Sequence, residues 1–248
     1  MTTITGGTLA LANSTSTNSL GNSTRIVVGT VSGSSAKLDV TGLSNGTLVL
    51  NAGQTLAGHG TVTGDVTGVS GSTIAPGNSP GILTVDGNLS LGQGNLGIAL
   101  SKTSIGHSPV AGTEYSQLAV TTGNTVDITD GTLVLTLGNN VEAGDVYYIL
   151  DNQDPSFAII GSFTGTTING AAATGSFADN GQFTAGIFTF NISYDTSTNG
   201  TFNSGSGNDI ALQVVSAPEP TSLGLIGLGG MGLLARRRRA RRKPSSQH

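Results

Sequence analysis

The chain of 248 residues contains no cysteine and no tryptophan, and aromatic residues make up only 4% of it. The absence of cysteine excludes disulfide bonds, thiolate metal sites and a cysteine nucleophile. Because large aromatic side chains are scarce, a core must be built from valine, leucine, isoleucine and threonine. The chain is therefore long enough for one or two domains but poor in large core-filling side chains.

Positive charge is also scarce before residue 218. Residues 1–217 hold three basic and thirteen acidic side chains, whereas residues 218–248 hold seven basic and one acidic. The net charges of the two parts are −10 and +6, which add to the −4 of the whole chain. An acidic body of this kind has little reason to bind nucleic acid once the tail is removed.

The N-terminus lacks the features of a secretory signal peptide. The first seven residues, Met-Thr-Thr-Ile-Thr-Gly-Gly, contain neither a basic region nor an apolar region. The C-terminal features described next predict export, however. We therefore expect that the sequence begins inside a longer protein.

The C-terminal segment, residues 218–248, combines three elements in order. First comes the triplet Pro218, Glu219 and Pro220, whose prolines fix φ and lack amide donors, which predicts a stiff, exposed spacer. Residues 221–235 are uncharged and mostly apolar, and as a helix they extend roughly 22 Å, less than the roughly 30 Å of a bilayer core. The basic residues that follow are expected to hold this short helix with its C-terminus in the cytoplasm. They are Arg236, Arg237, Arg238, Arg239, Arg241, Arg242 and Lys243.

These three elements resemble the PEP-CTERM protein-sorting signal of Gram-negative and related bacteria. The resemblance implies an exported protein that is held briefly in the inner membrane and cut near the triplet by an exosortase. It also implies delivery to the cell surface or into the exopolysaccharide matrix. The triplet is then a substrate and not a catalyst. The alternative is a core helix followed by an arginine-rich tail that binds nucleic acid.

A short pattern recurs in the chain, glycine followed by threonine or asparagine and then Leu-x-Leu. Its copies start at Gly7, Gly46, Gly87 and Gly131, at intervals of 39, 41 and 44 residues. Because alternate side chains of a strand share a face, each copy puts two leucines on one side, and regular recurrence of such strands predicts a solenoid. The spacing fits about two coils of β-helix per copy. Further strands are predicted at residues 25–28, 37–40, 61–63 and 83–85.

Residues 46–91 resemble the passenger-associated β-strand repeat of autotransporter proteins. The likeness rests on Gly-Thr-Leu-Val-Leu-Asn-Ala-Gly at residues 46–53 and on Ala-Pro-Gly-Asn-Ser-Pro-Gly at residues 75–81. The two Pro-Gly pairs predict two tight turns that cap consecutive strands. The resemblance implies a right-handed parallel β-helix at a bacterial surface.

Aromatic residues mark a second region, because all eleven lie between Tyr115 and Phe202. Strands with clear alternation are predicted there at residues 146–150, 186–194 and 209–215. In the second of these strands one face is predicted to carry Phe188, Phe190, Ile192 and Tyr194.

The sequence thus predicts an all-β chain in three parts. Residues 1–112 form a Gly/Thr-rich right-handed parallel β-helix, and residues 113–217 form an aromatic-rich module that is sandwich-like or caps the helix end. Residues 218–248 form the sorting signal with one transmembrane helix.

Asp209 is the best metal candidate. It lies in Gly-Ser-Gly-Asn-Asp-Ile-Ala-Leu, residues 205–212, which resembles one copy of the calcium nonapeptide of β-roll proteins. Those sites need consecutive copies, so a turn that leads into a strand is the competing interpretation. His59, His107 and His248 are predicted to be loop or terminal residues without a catalytic role.

A glycan-cleaving β-helix enzyme is the competing functional class. Such an enzyme needs paired carboxylates, or basic residues near a bound metal. The cations before residue 218 are Arg25, Lys37 and Lys102, and the spacing of Asp127 and Asp130 indicates a turn. The sequence therefore predicts a non-enzymatic surface or matrix protein without cofactors. Its predicted partners are an exosortase, the inner membrane and an exopolysaccharide, and a surface adhesin is the other alternative.

Overall fold

The computed structural model describes residues 1–13, 15–78, 80–197, 202–203, 205 and 207–217. Within these ranges the chain forms 22 β-strands and one short 3-10 turn at Ser44–Gly46, which confirms the all-β prediction. None of the described residues belongs to a helix long and apolar enough to cross a membrane. The transmembrane helix predicted at residues 221–235 lies outside the described residues.

The strands follow one another along the compact unit Met1–Ala217 and are joined by tight turns and by a few longer connections. In chain order they are β1 (Thr2–Ile4), β2 (Thr8–Asn13), β3 (Arg25–Val28), β4 (Lys37–Leu43), β5 (Thr47–Leu50), β6 (Thr55–Gly58), β7 (Thr61–Thr63), β8 (Asp65–Gly68), β9 (Thr73–Pro76), β10 (Ile82–Asp86), β11 (Leu89–Ser90), β12 (Asn95–Leu100), β13 (Gln117–Val120), β14 (Val126–Asp127), β15 (Thr132–Leu137), β16 (Val146–Asn152), β17 (Gly165–Ile168), β18 (Ala171–Ala172), β19 (Thr174–Gly175), β20 (Gln182–Ala185), β21 (Phe188–Thr196) and β22 (Asp209–Ser216).

These strands form three sheets that the chain visits in a repeating order. The first sheet runs β1-β3-β6-β9-β12-β15-β17-β18, the second β2-β4-β7-β10-β13-β16-β22-β21-β20-β19, and the third β5-β8-β11-β14. From β3 to β14 each circuit adds one strand to every sheet, and each added strand pairs in parallel with its predecessor. We call one such circuit a coil and start it at the first sheet, so that β12 opens the fifth coil and β15 the sixth.

Aliphatic side chains stack in register through the interior of the coils. On the first sheet Leu56, Ile74, Leu96 and Leu133 are successive partners, and each is at most 1% exposed. A fully buried side chain of this size contributes roughly 1.5–3 kcal/mol relative to an exposed one. The residues beside them in the strands, such as Thr73 and Asn95, face outward and are half-buried, so the strands alternate between a buried and an outer face.

The turn from the third sheet to the first keeps the same length in every coil. Residues 51–54, 69–72, 91–94 and 128–131 each form a four-residue connection. In all four, the amide of the last residue donates to the carbonyl of the first, at distances of 3.0, 2.9, 2.8 and 2.9 Å. The third residue takes positive φ at Gly53, Gly71 and Asp130. This turn fixes where each new coil begins.

Glycine is required where adjacent coils touch backbone to backbone. A Cβ on Gly87, which follows β10, would lie 2.2 Å from the carbonyl oxygen of Gly64 and 2.8 Å from the amide of Asp65. Both of these atoms belong to the preceding coil and neither can rotate away. Gly64 in turn donates its amide to the carbonyl of Asp86 at 3.0 Å.

Strand pairing changes from parallel to antiparallel after Ile168. Strand β18 turns back on β17, and β22, β21, β20 and β19 continue the second sheet beyond β16 as antiparallel neighbours. Parallel pairing crosses the boundary predicted near residue 112, because β13 pairs with β10 and β15 pairs with β12. The change of pairing, after Ile168, therefore lies about halfway along residues 113–217, whereas the composition changes near residue 112.

The antiparallel strands bury a cluster of phenylalanine side chains. The Phe183 ring stacks on Phe190 with ring centroids 5.6 Å apart and touches Phe177 at 5.5 Å. Along β21, Phe190, Ile192 and Tyr194 are buried and Phe188 packs against the same core, so the predicted shared face is confirmed.

The repeated Leu-x-Leu pattern does not mark one position in the coils. Its copies fall on β2 in the second sheet, on β5 and β11 in the third, and on β15 in the first. Two coils separate the copies on β5 and β11, as predicted, but the other intervals are not whole numbers of coils. The two Pro-Gly pairs likewise lie at one connection, between β9 and β10, and not at two separate turns.

Candidate functional site

The connection from β12 to β13 is the longest between the first and second sheets. It comprises residues 101–116, whereas the corresponding connection between β6 and β7 has only residues 59–60. We call it the 101–116 loop. The amide of Gly112 donates to the carbonyl of Tyr115 at 2.8 Å, and Glu114 N–H donates to Val110 at 2.9 Å. The loop is thus folded on itself, and its Lys102, His107 and Glu114 side chains each contact another ionisable side chain.

Glu114 organises the interior of the 101–116 loop. Its Oε1 accepts hydrogen bonds from the amide and the hydroxyl of Thr103, both at 2.6 Å, and its Oε2 accepts from the amide of Val110 at 3.0 Å. The Nε2 of His107 lies 2.9 Å from Oε1. These contacts, led by those of Thr103, lower the pKa of Glu114 to about 2. The Glu114 side chain is only 4% exposed, and because its pKa is about 2 the carboxyl group is charged at neutral pH.

Lys102 ties the 101–116 loop to the next coil. Its Nζ lies 2.5 Å from Glu142 Oε1 and 2.7 Å from Asp145 Oδ1, and it donates to the carbonyl of His107 at 3.0 Å. The Lys102 side chain is 0% exposed. Burial acts to lower the pKa of Lys102, but the hydrogen bonds and charges of Asp145 and Glu142 outweigh it and raise this pKa. All three ammonium donors are used inside the protein.

The second oxygen of Asp145 is held by two further donors. Its Oδ2 accepts the amide of Glu142 at 2.9 Å and the hydroxyl of Tyr147 at 3.2 Å. Tyr147 is fully buried, and the Tyr115 ring packs against it edge-on, with centroids 5.3 Å apart. Burial and the nearby Asp145 carboxylate raise the pKa of Tyr147, so its hydroxyl keeps its proton. We call Lys102, Glu142, Asp145 and Tyr147 the Lys102 cluster.

A groove of about 580 Å³ opens beside the Lys102 cluster. Its walls include His107, Glu142, Asp145 and the half-buried ring of Tyr148. Because Lys102 has no donor left for a bound anion, it cannot stabilise a carbanion in this groove as a lyase would require. The cluster is built for internal contacts.

Acid is expected to loosen the 101–116 loop. The pKa of Glu114 is about 2 in the folded chain against an ordinary value of 4.5, so its stabilisation is present above about pH 4.5 and is lost as the pH falls towards 2. The protection of the Thr103 and Val110 amides, measured by hydrogen exchange and corrected for intrinsic rates, should fall across this window. A Glu114→Gln variant should show weak protection that does not change over the same range. Protection of the wild-type amides that stays constant down to pH 2 would contradict this expectation.

The residues predicted for the sorting signal lie outside the described residues. They are Pro218, Glu219, Pro220, Arg236, Arg237, Arg238, Arg239, Arg241 and Arg242. Asp209, the calcium candidate, begins β22 and is 3% exposed. Its Oδ1 accepts the amide of Asn152 at 2.9 Å and its carbonyl accepts the hydroxyl of Thr196 at 3.0 Å. Among the described residues no three His, Asp or Glu side chains come together as metal ligands.

The two histidines in the described part of the chain, His59 and His107, lie in connections between strands and contact neighbouring residues there. His59 lies at the corner after β6, where its Nε2 accepts the amide of Asn78 at 3.3 Å and its ring touches Gly81. Burial lowers the pKa of His59. His107 lies in the 101–116 loop beside Glu114, and His248 is outside the described residues.

Sequence reasoning missed the Lys102 cluster. In the sequence Lys102 is only one of three cations before residue 218, and neither Glu114 nor Glu142 belongs to a recognisable motif. One signal was present: Glu114 and Glu142 are the only glutamates among residues 1–217, and the structure brings both to the same loop. Rare charged residues in a chain this poor in charge are candidates for a shared site.

No curated protein and no solved structure matches this chain. The PEP-CTERM protein-sorting motif matches residues 216–239, which include the proline triplet, the apolar run and the first four arginines. The match covers only the end of the chain, and it begins at Ser216, the last residue of β22. The motif indicates an exported protein that passes the membrane and is processed by an exosortase.

Proposed function

We propose that this chain is a non-enzymatic scaffold of the bacterial surface or extracellular matrix, released there after an exosortase removes its C-terminal signal. The observation that carries the proposal is the position of the sorting motif at the end of the compact unit. The sorting motif begins at Ser216, where the last strand of the compact unit Met1–Ala217 ends. A cut near Pro218, Glu219 and Pro220 would therefore leave every described strand in the released product.

We further propose that the coils form a right-handed parallel β-helix. Each passage from a strand of the first sheet, through the second and third sheets, to the next strand of the first is a crossover between parallel strands. Such crossovers are right-handed in about 98% of cases because of the right-handed twist of strands. The stretch with the autotransporter resemblance, residues 46–91, runs from β5 to the end of β11, inside the parallel part. This placement supports its assignment as a passenger-type repeat.

The character of the outer surface favours a scaffold or adhesin over a glycan-cleaving enzyme. On the first sheet one outward column consists of Arg25, Thr55, Thr73, Asn95 and Thr132, paired in register. It presents hydroxyl and amide groups, with one charge, at Arg25. An enzyme of the lyase or hydrolase type would need convergent acids or free cations in a groove, and the buried Lys102 is engaged with its own carboxylates.

A transient membrane stage follows from the composition of the tail. Residues 221–235 make a span shorter than the bilayer core, and the basic residues after them favour a cytoplasmic C-terminus. Once the tail with its charge of +6 is removed, the remaining body carries −10 and repels other anionic surfaces. The product is then an acidic protein from which the C-terminal membrane segment has been removed.

Replacement of the triplet is expected to stop processing. In the native host, a variant with Pro218→Ala, Glu219→Ala and Pro220→Ala should keep its C-terminus in the membrane fraction, because the spacer that the exosortase reads has lost its shape and charge. Mass spectrometry of the mature C-terminus after cell fractionation gives the readout. Pro244→Ala, which changes a proline beyond the basic cluster, is the matched control and should be processed normally.

Two outcomes separate the parts of this proposal. A wild-type product that still ends at His248 and remains in the cytoplasm would overturn export and processing. A processed product that depolymerises the exopolysaccharide of its host, with activity lost on substitution of a groove residue, would overturn the non-enzymatic role and leave the sorting intact.

A further inference from the structure

The Lys102 cluster has the composition of a site for covalent bond formation. A primary amine lies against two carboxylates, and the amine and one of the carboxylates have almost no contact with solvent, since the Lys102 side chain is 0% exposed and that of Asp145 is 5% exposed. The chain has no cysteine, so disulfide bonds cannot brace it outside the cell. An amide bond between side chains is a cross-link that needs no oxidant.

We propose that Lys102 Nζ and the Asp145 carboxyl group join in an intramolecular amide bond, with Glu142 as the proton carrier. The bond would connect the 101–116 loop of the fifth coil to residues 138–145, the turn that precedes β16 in the sixth. It goes beyond the sorting and scaffold functions, because it concerns a chemical modification of the body itself.

The geometry favours attack on Asp145. The Nζ lies 2.7 Å from Asp145 Oδ1, in contact with the carboxyl group whose carbon would be attacked. The opposite oxygen, Oδ2, accepts the amide of Glu142 and the hydroxyl of Tyr147. These two donors point at the atom on which negative charge develops when the carbon becomes tetrahedral, which is the arrangement of an oxyanion hole.

Glu142 is placed to move protons and not to be the acylated group. Its Oε1 lies 2.5 Å from Nζ and also accepts the amide of Gly106 at 2.7 Å. The Glu142 side chain is 29% exposed, against 5% for Asp145. The desolvated carboxylate lies deeper in the protein and has the oxyanion donors, whereas Glu142 contacts both solvent and the amine.

The reaction balances without any further reagent. Lys102 starts as the ammonium, and it gives one proton to Glu142, which frees the lone pair on Nζ. The lone pair attacks Asp145 Cγ, the carbonyl electrons move to Oδ2, and Glu142 passes its proton to Oδ1. A second proton follows from Nζ through Glu142, the Cγ–Oδ1 bond breaks and water leaves. The products are one secondary amide and one water, and Glu142 is regenerated as a carboxylate.

Burial makes this condensation less costly than it is in water. The ion pair of the starting state has lost most of its hydration, and a charged pair held in a dry site is stabilised only by its own contacts. Condensation removes both charges at once and replaces them with a neutral amide. Effective concentrations of well-oriented groups in such contact reach about 10⁵ M or more, which compensates for a weakly activated carboxyl group.

Intact mass and trypsin digestion of the purified full-length chain test the proposal. The cross-linked chain should be lighter than its sequence by the mass of one water. Trypsin cuts after Lys and Arg, and before the basic tail these residues occur only at Arg25, Lys37 and Lys102. Since an acylated lysine is not cut, denatured protein should yield the fragment 38–236 in place of 38–102 and 103–236. A folded wild-type chain with its full sequence mass and normal cleavage after Lys102 would overturn the proposal.

Variants separate the covalent bond from the ion pair. Lys102→Arg keeps the positive charge but should show the full mass, because a guanidinium does not become a neutral nucleophile. Glu142→Gln keeps both reacting groups and should slow cross-linking by about 10²–10⁴-fold, the usual worth of a proton carrier. The matched control Lys37→Arg should cross-link as the wild type does. Cross-linking of Glu142→Gln at the wild-type rate would remove Glu142 from the mechanism.

Discussion

Substitution of Gly87 by alanine is expected to lower the free energy of unfolding by about 1–3 kcal/mol or more, the cost of forcing extra atoms into a packed interior. The added Cβ would lie 2.2 Å from the Gly64 carbonyl oxygen and 2.8 Å from the Asp65 amide. Both are backbone atoms, so the two coils would have to move apart and lengthen the Gly64–Asp86 hydrogen bond. Urea denaturation followed by far-UV circular dichroism measures the loss.

Gly165→Ala provides the control for the Gly87 variant. Gly165 also lies in the parallel coils, at the start of β17, but a Cβ there meets no atom within 4 Å. This variant should be neutral or stabilised by about 0.4–1 kcal/mol, because alanine restricts the unfolded chain more than glycine does. Equal stability of the two variants would show that the coils are not packed as closely as the structure has them.

Substitution of Phe183 by alanine should cost about 3–5 kcal/mol, the range for truncating a buried aromatic side chain. Phe183 is 0% exposed and its ring lies between those of Phe177 and Phe190, at 5.5 and 5.6 Å. The loss is larger than for an aliphatic residue because two ring contacts disappear with the buried area.

The unfolding profile of the Phe183→Ala variant also shows whether the coils depend on the antiparallel strands for their stability. Because β22 pairs with β16 of the sixth coil, loss of the antiparallel strands should expose the coils and unfold them in the same transition. Phe157→Ala, at a position that is 41% exposed, is the control and should change the free energy of unfolding by at most about 0.5 kcal/mol. Two separate transitions in the Phe183 variant would mean that the coils are stable without their antiparallel neighbours.

The strands that the sequence predicts lie within a few residues of strands in the structure, although β6, β9, β12 and β17 were not predicted. The segments predicted at 25–28 and 61–63 coincide with β3 and β7, and those at 146–150 and 209–215 are contained in β16 and β22. Alternation of leucine or valine with threonine is enough to locate a strand, because the position of a strand depends only on which side chains face inward.

The sequence did not show to which of the three sheets each strand belongs. A Leu-x-Leu strand has the same inward face on any of the three sheets, so the pattern at Gly7, Gly46, Gly87 and Gly131 could not tell them apart. The constant element is the four-residue turn at residues 51–54, 69–72, 91–94 and 128–131, whose shared feature is a hydrogen bond and not a residue type. Such a repeat is visible in backbone contacts and weak in the sequence.

Composition and strand pairing change at different places in the chain. Aromatic residues begin at Tyr115, but parallel pairing continues past this residue through β13 and β15, and the first aromatic residue in an antiparallel strand pair is Tyr147, which pairs with Leu212. The Lys102 cluster was equally hidden, because Lys102 and Asp145 are far apart in sequence and meet only through the stacking of the fifth and sixth coils. Contacts of this kind depend on coil register, which alternation alone does not specify.

The corner between the first and second sheets differs from the turn that starts each coil, because its length varies from residues 59–60 to residues 101–116 without a change in strand register. Foreign peptides inserted there should be tolerated and displayed to the outside. The connection of residues 29–36 is the best position for such a graft, since Val31 is 64% exposed and takes no part in the Lys102 cluster. An epitope placed at Val31 would be exported together with the protein, because the sorting motif lies at the opposite end of the chain, at residues 216–239.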